Sequence, residues 1–252
     1  MLGCILAGGS QFTSSTRHAK IPRVMAIRKS FTKKFPAKKS SITPAALRGL
    51  RAWLDRRFPT WTPALTYSTP WELLAATILS AQCTDARVNQ VTPGLFARYP
   101  TAEAMAEAEA KEVEALIRST GFFRAKRRNL IESARQLVAE HGGVVPDQMD
   151  LLLGLTGIGR KTANVVLANA FGQPAIVVDT HVRRVSQRLG LTRSNDPDKI
   201  EEELARLFPP AEWTRRSHQL LLHGRHVCLA RRPKCDECGL RSICPWYRAN
   251  AE

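Results

Sequence analysis

Residues 155–163 read Leu155-Thr156-Gly157-Ile158-Gly159-Arg160-Lys161-Thr162-Ala163. The paired glycines Gly157 and Gly159 permit a tight turn with exposed amides, because glycine enters backbone regions closed to other residues. The apolar run from Lys161 to Ala170 then reads as a helix, whose first N–H groups have no intrahelical partner. A turn and helix start of this kind cradle an anion, above all a backbone phosphate. Gly-x-Gly alone is a weak signal, and no strand precedes it as a dinucleotide fold requires. The stretch therefore joins two helices.

Helical spacing continues on both sides. Upstream, Leu130, Ala134, Leu137 and Val138 fall on one apolar stripe, with Arg127, Arg128, Glu132 and Arg135 on the wet side. Trp71 to Ala81 is a denser apolar run, as expected of a helix inside the core. Downstream, Asp196 supplies an N-cap and Pro197 a first helical residue, followed by the stripe Ile200, Leu204, Leu207 and Phe208. Only Ala175–Val178, after Pro174, looks like a strand. The expected fold is all-α with roughly nine or ten helices and no internal repeat.

Charge narrows the function. The 252 residues carry a formal charge of +16, 44% apolar and 24% charged residues, a globular composition. Residues 1–54 contribute +11 with no acidic residue, residues 55–212 sum to zero, and residues 213–252 contribute +5. A neutral body with two basic ends points to a polyanionic partner, nucleic acid ahead of an anionic membrane surface. No apolar run reaches the roughly 18–20 residues of a membrane span. Residues 1–43 show no periodicity and read as a basic disordered tail. A transit peptide, or a start displaced from Met25, reads equally well there.

Cys228, Cys235, Cys238 and Cys244 form C-x6-C-x2-C-x5-C, four of the six cysteines within 17 residues. Four thiolates complete a zinc site or an iron–sulfur cluster. Zinc knuckles pair close ligands across a longer loop, whereas one tight pair flanked by two solitary cysteines wraps a larger object. A [4Fe–4S] cluster suits that better, although the spacing is not a ferredoxin run. Between the first two ligands, Arg231, Arg232 and Lys234 place three cations in a loop pinned at both ends, a fixed contact for phosphates.

The run LTGIGRKTANVVLANAFGQPAIVVDTHVRRV resembles the helix–hairpin–helix, Gly/Pro-rich loop and aspartate of the DNA glycosylase superfamily. With the cysteine pattern and LLAATILSAQCTDARVN upstream, the chain is similar to the endonuclease III family of base-excision repair over about residues 44–248. The resemblance implies two helical domains with a DNA cleft between them. One is a six-helix domain at 64–173; the other is a discontinuous cluster domain of 44–63 and 174–252. It also implies a [4Fe–4S] cluster, Lys161 as nucleophile and Asp179 as its assistant. Gln82 would fill the gap left by an extruded nucleotide, and Phe122 would be the apolar wedge. Family members commonly carry Pro at the position of Thr156 and Val at that of Ile158. The adenine-removing relatives lack a lysine at the position of Lys161, so a lyase-competent enzyme is the better match.

The implied chemistry is coherent. Base removal exposes an electrophilic C1′, which an amine attacks to form a Schiff base. The helix start, Arg160 beside it and partial burial are expected to favour the neutral amine of Lys161. Asp179 can take the proton or stabilise the positive charge that develops on the sugar. By position alone, Lys161 reads as a solvated first-turn lysine and Asp179 as an N-cap. The expected enzyme is a bifunctional glycosylase and AP lyase, acting as a monomer on duplex DNA with oxidised pyrimidines or abasic sites, not on membranes. It would work at a bacterial nucleoid in the cytoplasm, or in a eukaryotic nucleus or mitochondrion. A non-enzymatic, metal-stabilised DNA-binding module is the rival, and it needs neither Lys161 nor Asp179.

Overall fold

Threonine sets where the first helices begin. In the computed structural model, which describes residues 42–250, Thr43 caps α1 (Pro44–Arg57) and Thr69 caps α2 (Pro70–Leu79). Thr84 and Thr101 cap α3 (Asp85–Arg98) and α4 (Ala102–Ala106). In all four, the threonine Oγ1 accepts the backbone N–H three residues on, at 3.1–3.3 Å, satisfying a donor that the helix leaves free. Next come α5 (Ala110–Ile117), α6 (Phe123–His141), α7 (Met149–Gly154) and α8 (Arg160–Ala170). Asp179 and Asp196 then cap α9 (Thr180–Arg188) and α10 (Pro197–Leu207), before α11 (Trp213–His226) and α12 (Pro245–Asn250). The reading of residues 1–43 as a tail falls, up to residue 41, outside the described residues.

The all-α expectation holds: the described residues contain helices and turns and no strand. Two details differ. There are twelve α-helices and four 3-10 turns among the described residues, not nine or ten helices. The extra ones include α4 and α7, of five and six residues, too short to show a period. Ala175–Val178 is buried but pairs with no strand. Its polar groups go to side chains: Thr214 Oγ1 accepts from the Ala175 N–H at 3.3 Å, and Asn164 Nδ2 donates to the Ile176 carbonyl at 3.2 Å.

Apolar side chains gather in two clusters. One is built from α2 to α8, with Leu73, Leu74, Leu79, Leu95, Leu130, Leu137 and Leu152 all but inaccessible. The other joins α1 to the chain after Ile176 and includes Leu50, Leu54, Val182, Val185, Ile200, Leu204 and Leu220. A polar seam fastens α1 to α11. Arg216, 3% exposed, donates to Asp55 and Glu212, and Gln219 Nε2 donates to the Leu54 and Phe58 carbonyls. No helix among the described residues is long and apolar enough to cross a membrane.

Candidate active site and cluster loop

The hairpin turns at Gly157, whose φ of +78° lies in the left-handed region. A Cβ there would meet Asn129 side-chain atoms at 2.4–2.8 Å, so both conformation and space require glycine. Gln136 Oε1 accepts from the Thr156 N–H at 2.6 Å and holds the turn from behind, a bond that proline at this position could not make. Gly159 then opens α8 with no side-chain cap. The leading N–H groups of the helix therefore stay available to an outside anion.

Lys161 and Asp179 line the same cleft, a cavity of about 280 Å³ that also includes Gln82 and Thr162. Asp179 is half-buried at the start of α9, where its Oδ1 accepts from the Val182 N–H at 2.7 Å. The cap and the chemical role are thus compatible, since the cap fixes the carboxylate's direction. Two influences expected on Lys161 are not found. The lysine is exposed rather than partly buried. Arg160 turns to Glu201, donating at 3.0 and 2.8 Å, and Asn164 Nδ2 donates to the same carboxylate at 2.8 Å. The pair offsets the Arg160 charge and directs its guanidinium to Glu201; Arg160 was also expected, with Gly157 and Gly159, to contact DNA. The helix start remains as the local positive influence.

Gln82 and Phe122 share an unusual property. They are the non-glycine residues with positive φ among the described residues, at 51° and 48°. Backbone of this kind costs roughly 1–3 kcal/mol and gathers where structure is held for function. Phe122 is 67% exposed, so it is not the core residue that its sequence position alone would suggest. Behind it, Lys126 is buried and donates to the Thr120 carbonyl at 2.8 Å; desolvation pulls its pKa down. A charged residue in an amphipathic stretch gave no sign that it would be buried.

Cys228, Cys235, Cys238 and Cys244 line one small cavity together with Leu189 and Trp246, and none of the four is in a disulfide. Among the described residues, no three His, Cys, Asp or Glu side chains close on a single-ion site. Four thiols around one cavity are the donor set that a [4Fe–4S] cluster takes. Their surroundings suit an anionic cluster. Arg188 Nη1 lies 3.4 Å from Cys228 Sγ and 2.8 Å from the Leu229 carbonyl, and its guanidinium stacks 4.3 Å from the Trp246 ring. Arg184 donates to the Cys228 and Gly224 carbonyls. Neither arginine was read from the sequence, because they lie on α9, remote from the cysteines. Arg231 and Arg232 are exposed, while Lys234 sits 4.0 Å from Glu237.

Sequence reasoning also missed Trp61 and His218, stacked at 4.2 Å beside the cleft, and an Arg225–Asp85 ion pair of 2.7 Å at its edge. Their partners lie too far apart in the chain for spacing to connect them.

Comparison with known proteins follows the same lines. The family model of the HhH-GPD superfamily base excision DNA repair protein matches residues 75–210, and that of the iron-sulfur binding domain of endonuclease III matches residues 228–244. Endonuclease III of Synechocystis sp. is 50% identical over 222 residues, covering 88% of this chain and 99% of that protein. The Escherichia coli endonuclease III is 40% identical over 185 residues, covering 73% and 88%. A non-covalent endonuclease III–DNA complex superposes with a TM-score of 0.79 at 41% identity, covering 82% of this chain and 98% of that one. A trapped covalent endonuclease III–DNA intermediate gives 0.78 at 41% identity, covering 82% and 99%. With its hairpin, its cleft and its four thiols around one cavity, the chain belongs to the endonuclease III family of base-excision repair DNA glycosylases and AP lyases that carry a [4Fe–4S] cluster.

Proposed function

We propose that this enzyme excises oxidised pyrimidines from duplex DNA and then cleaves the strand by β-elimination through a Schiff base at Lys161. The observation that carries the reading is the placement of Lys161 and Asp179 in one cleft, with Lys161 in the first turn of the uncapped helix α8. The free amides at the start of α8 bind a backbone phosphate and bring the sugar to the lysine. Gln82 and Phe122 occupy the space left by the extruded nucleotide. As the C1′–N bond breaks, its electron pair leaves with the base, and the Asp179 carboxylate stabilises the cationic sugar. The Lys161 amine bonds to C1′ and loses a proton; the C1′–O4′ bond then breaks as the C=N bond forms, O4′ takes up a proton, and the sugar ring opens to the imine. Loss of a C2′ proton then expels the 3′ phosphate.

The cluster lies outside this sequence of steps. Its four cysteines hold the loop that presents Arg231, Arg232 and Lys234 to the phosphates, and bound iron and sulfide supply the cross-link that folds that loop. Single-turnover assays on duplexes that each carry one defined lesion test the substrate class. Oxidised pyrimidines should be released faster than alkylated purines or mispaired adenine; preferred release of either purine class would overturn the reading.

A further inference from the structure

An imidazole in the cleft has no part in the steps above. His218, on α11, lines the same cavity as Lys161 and Asp179. Its Nδ1 lies 2.9 Å from the Thr214 carbonyl. A carbonyl only accepts, so Nδ1 carries the ring proton, and in the neutral ring Nε2 is a bare acceptor. Burial lowers the His218 pKa, which keeps the ring neutral. Trp61 stacks on it at 4.2 Å with an interplanar angle of 26°, fixing the plane in which Nε2 points.

We propose that His218 is a specificity-determining residue, whose Nε2 accepts a hydrogen bond from an N–H or O–H group of the extruded base. The inference rests on the reading of this cleft as the pocket for an oxidised pyrimidine. A ring-saturated thymine offers both donor types, an imide N–H and hydroxyls on its saturated carbons. A base without a donor at that place leaves the acceptor unpaired in a site shielded from water, and is disfavoured for that reason.

The test uses the full chain with its cluster and two substrates: a duplex carrying 5,6-dihydroxy-5,6-dihydrothymine, and the same duplex with a preformed abasic site. His218→Phe keeps the ring stacked on Trp61 but removes both nitrogens; His218→Gln returns an acceptor at similar reach. The expected result for His218→Phe is a loss of about 10- to 100-fold in base excision, against a loss at the abasic site at least about tenfold smaller. His218→Gln should regain most of the excision. Equal losses on both substrates would mean a merely structural role and overturn the proposal. So would a phenylalanine variant as fast as the parent, or a glutamine variant no better than phenylalanine. If the parent itself releases no oxidised pyrimidine, the functional reading fails and the inference falls with it.

Discussion

Asp179 combines two duties that substitution can separate. Its Oδ1 caps α9 through the Val182 N–H, and asparagine caps a helix about as well as aspartate. Asp179→Asn should therefore leave thermal stability nearly unchanged. Base excision should fall about 100-fold or more, because a neutral amide stabilises developing positive charge poorly. Circular dichroism and single-turnover kinetics check the two halves, and a variant that unfolds without losing chemistry would reverse the assignment. Phe122 gives a second contrast. Its ring is 67% exposed and its backbone is left-handed at φ 48°. Phe122→Gly should not lower the melting temperature, since it removes about 1 kcal/mol of backbone strain and little buried surface. It should slow excision of paired lesions more than cleavage at a preformed abasic site, measured side by side. At this scale the sequence was partly legible. The cysteines stand in a spacing that ligand chemistry requires, and Lys161 and Asp179 are marked by the family resemblance, since by position alone they read as a solvated lysine and an N-cap. His218 and Lys126 carry neither mark, because what singles them out is a neighbour from a distant segment or burial.

Among the elements, the hairpin has the least room for change. Gly157→Ala puts a Cβ against Asn129 at a φ of +78°, which should cost about 2 kcal/mol or more in unfolding free energy. It should also weaken affinity for undamaged duplex DNA; urea titration and a binding isotherm check both. The seam between α1 and α11 makes a pH prediction. The hydrogen bond from Arg216 holds the Asp55 carboxyl below its ordinary 3.8. Burial raises Glu212, but hydrogen bonds from Arg216 and Arg51 outweigh it and leave the group below 4.5. Depressed carboxylate pKa values give stability that is present above the unfolded values and lost as pH falls through the folded ones. Melting temperature should therefore drop as pH falls below about 4.5. The double variant Asp55→Asn, Glu212→Gln should show a flatter profile over that window. Periodic helices such as α6, and α10 with its Asp196 cap, were readable from the sequence. Short ones such as α4 were not, and the apolar run Ala175–Val178 misled because burial, not strand pairing, explains it.

Over the whole molecule, the charge pattern and the fold agree on one partner. The neutral stretch, together with α11 from the basic C-terminal end, supplies the cleft, and that end also supplies the cluster loop with exposed Arg231 and Arg232. Fold class and cluster were legible because they rest on local periodicity and on ligand spacing. The direction of Arg160 was not, since Glu201 lies 41 residues away. The central claim is that the Lys161 amine forms a bond to C1′, and covalent trapping tests it most directly. Borohydride added while the enzyme acts on an oxidised-pyrimidine duplex, or on a preformed abasic site, should reduce the imine and leave a protein–DNA adduct visible on a denaturing gel. Lys161→Ala, with hairpin, cluster loop and Asp179 intact, should still bind the duplex but give no adduct and no strand nick. Adduct formation by Lys161→Ala at the parent's efficiency would show that another amine is the nucleophile and contradict the account.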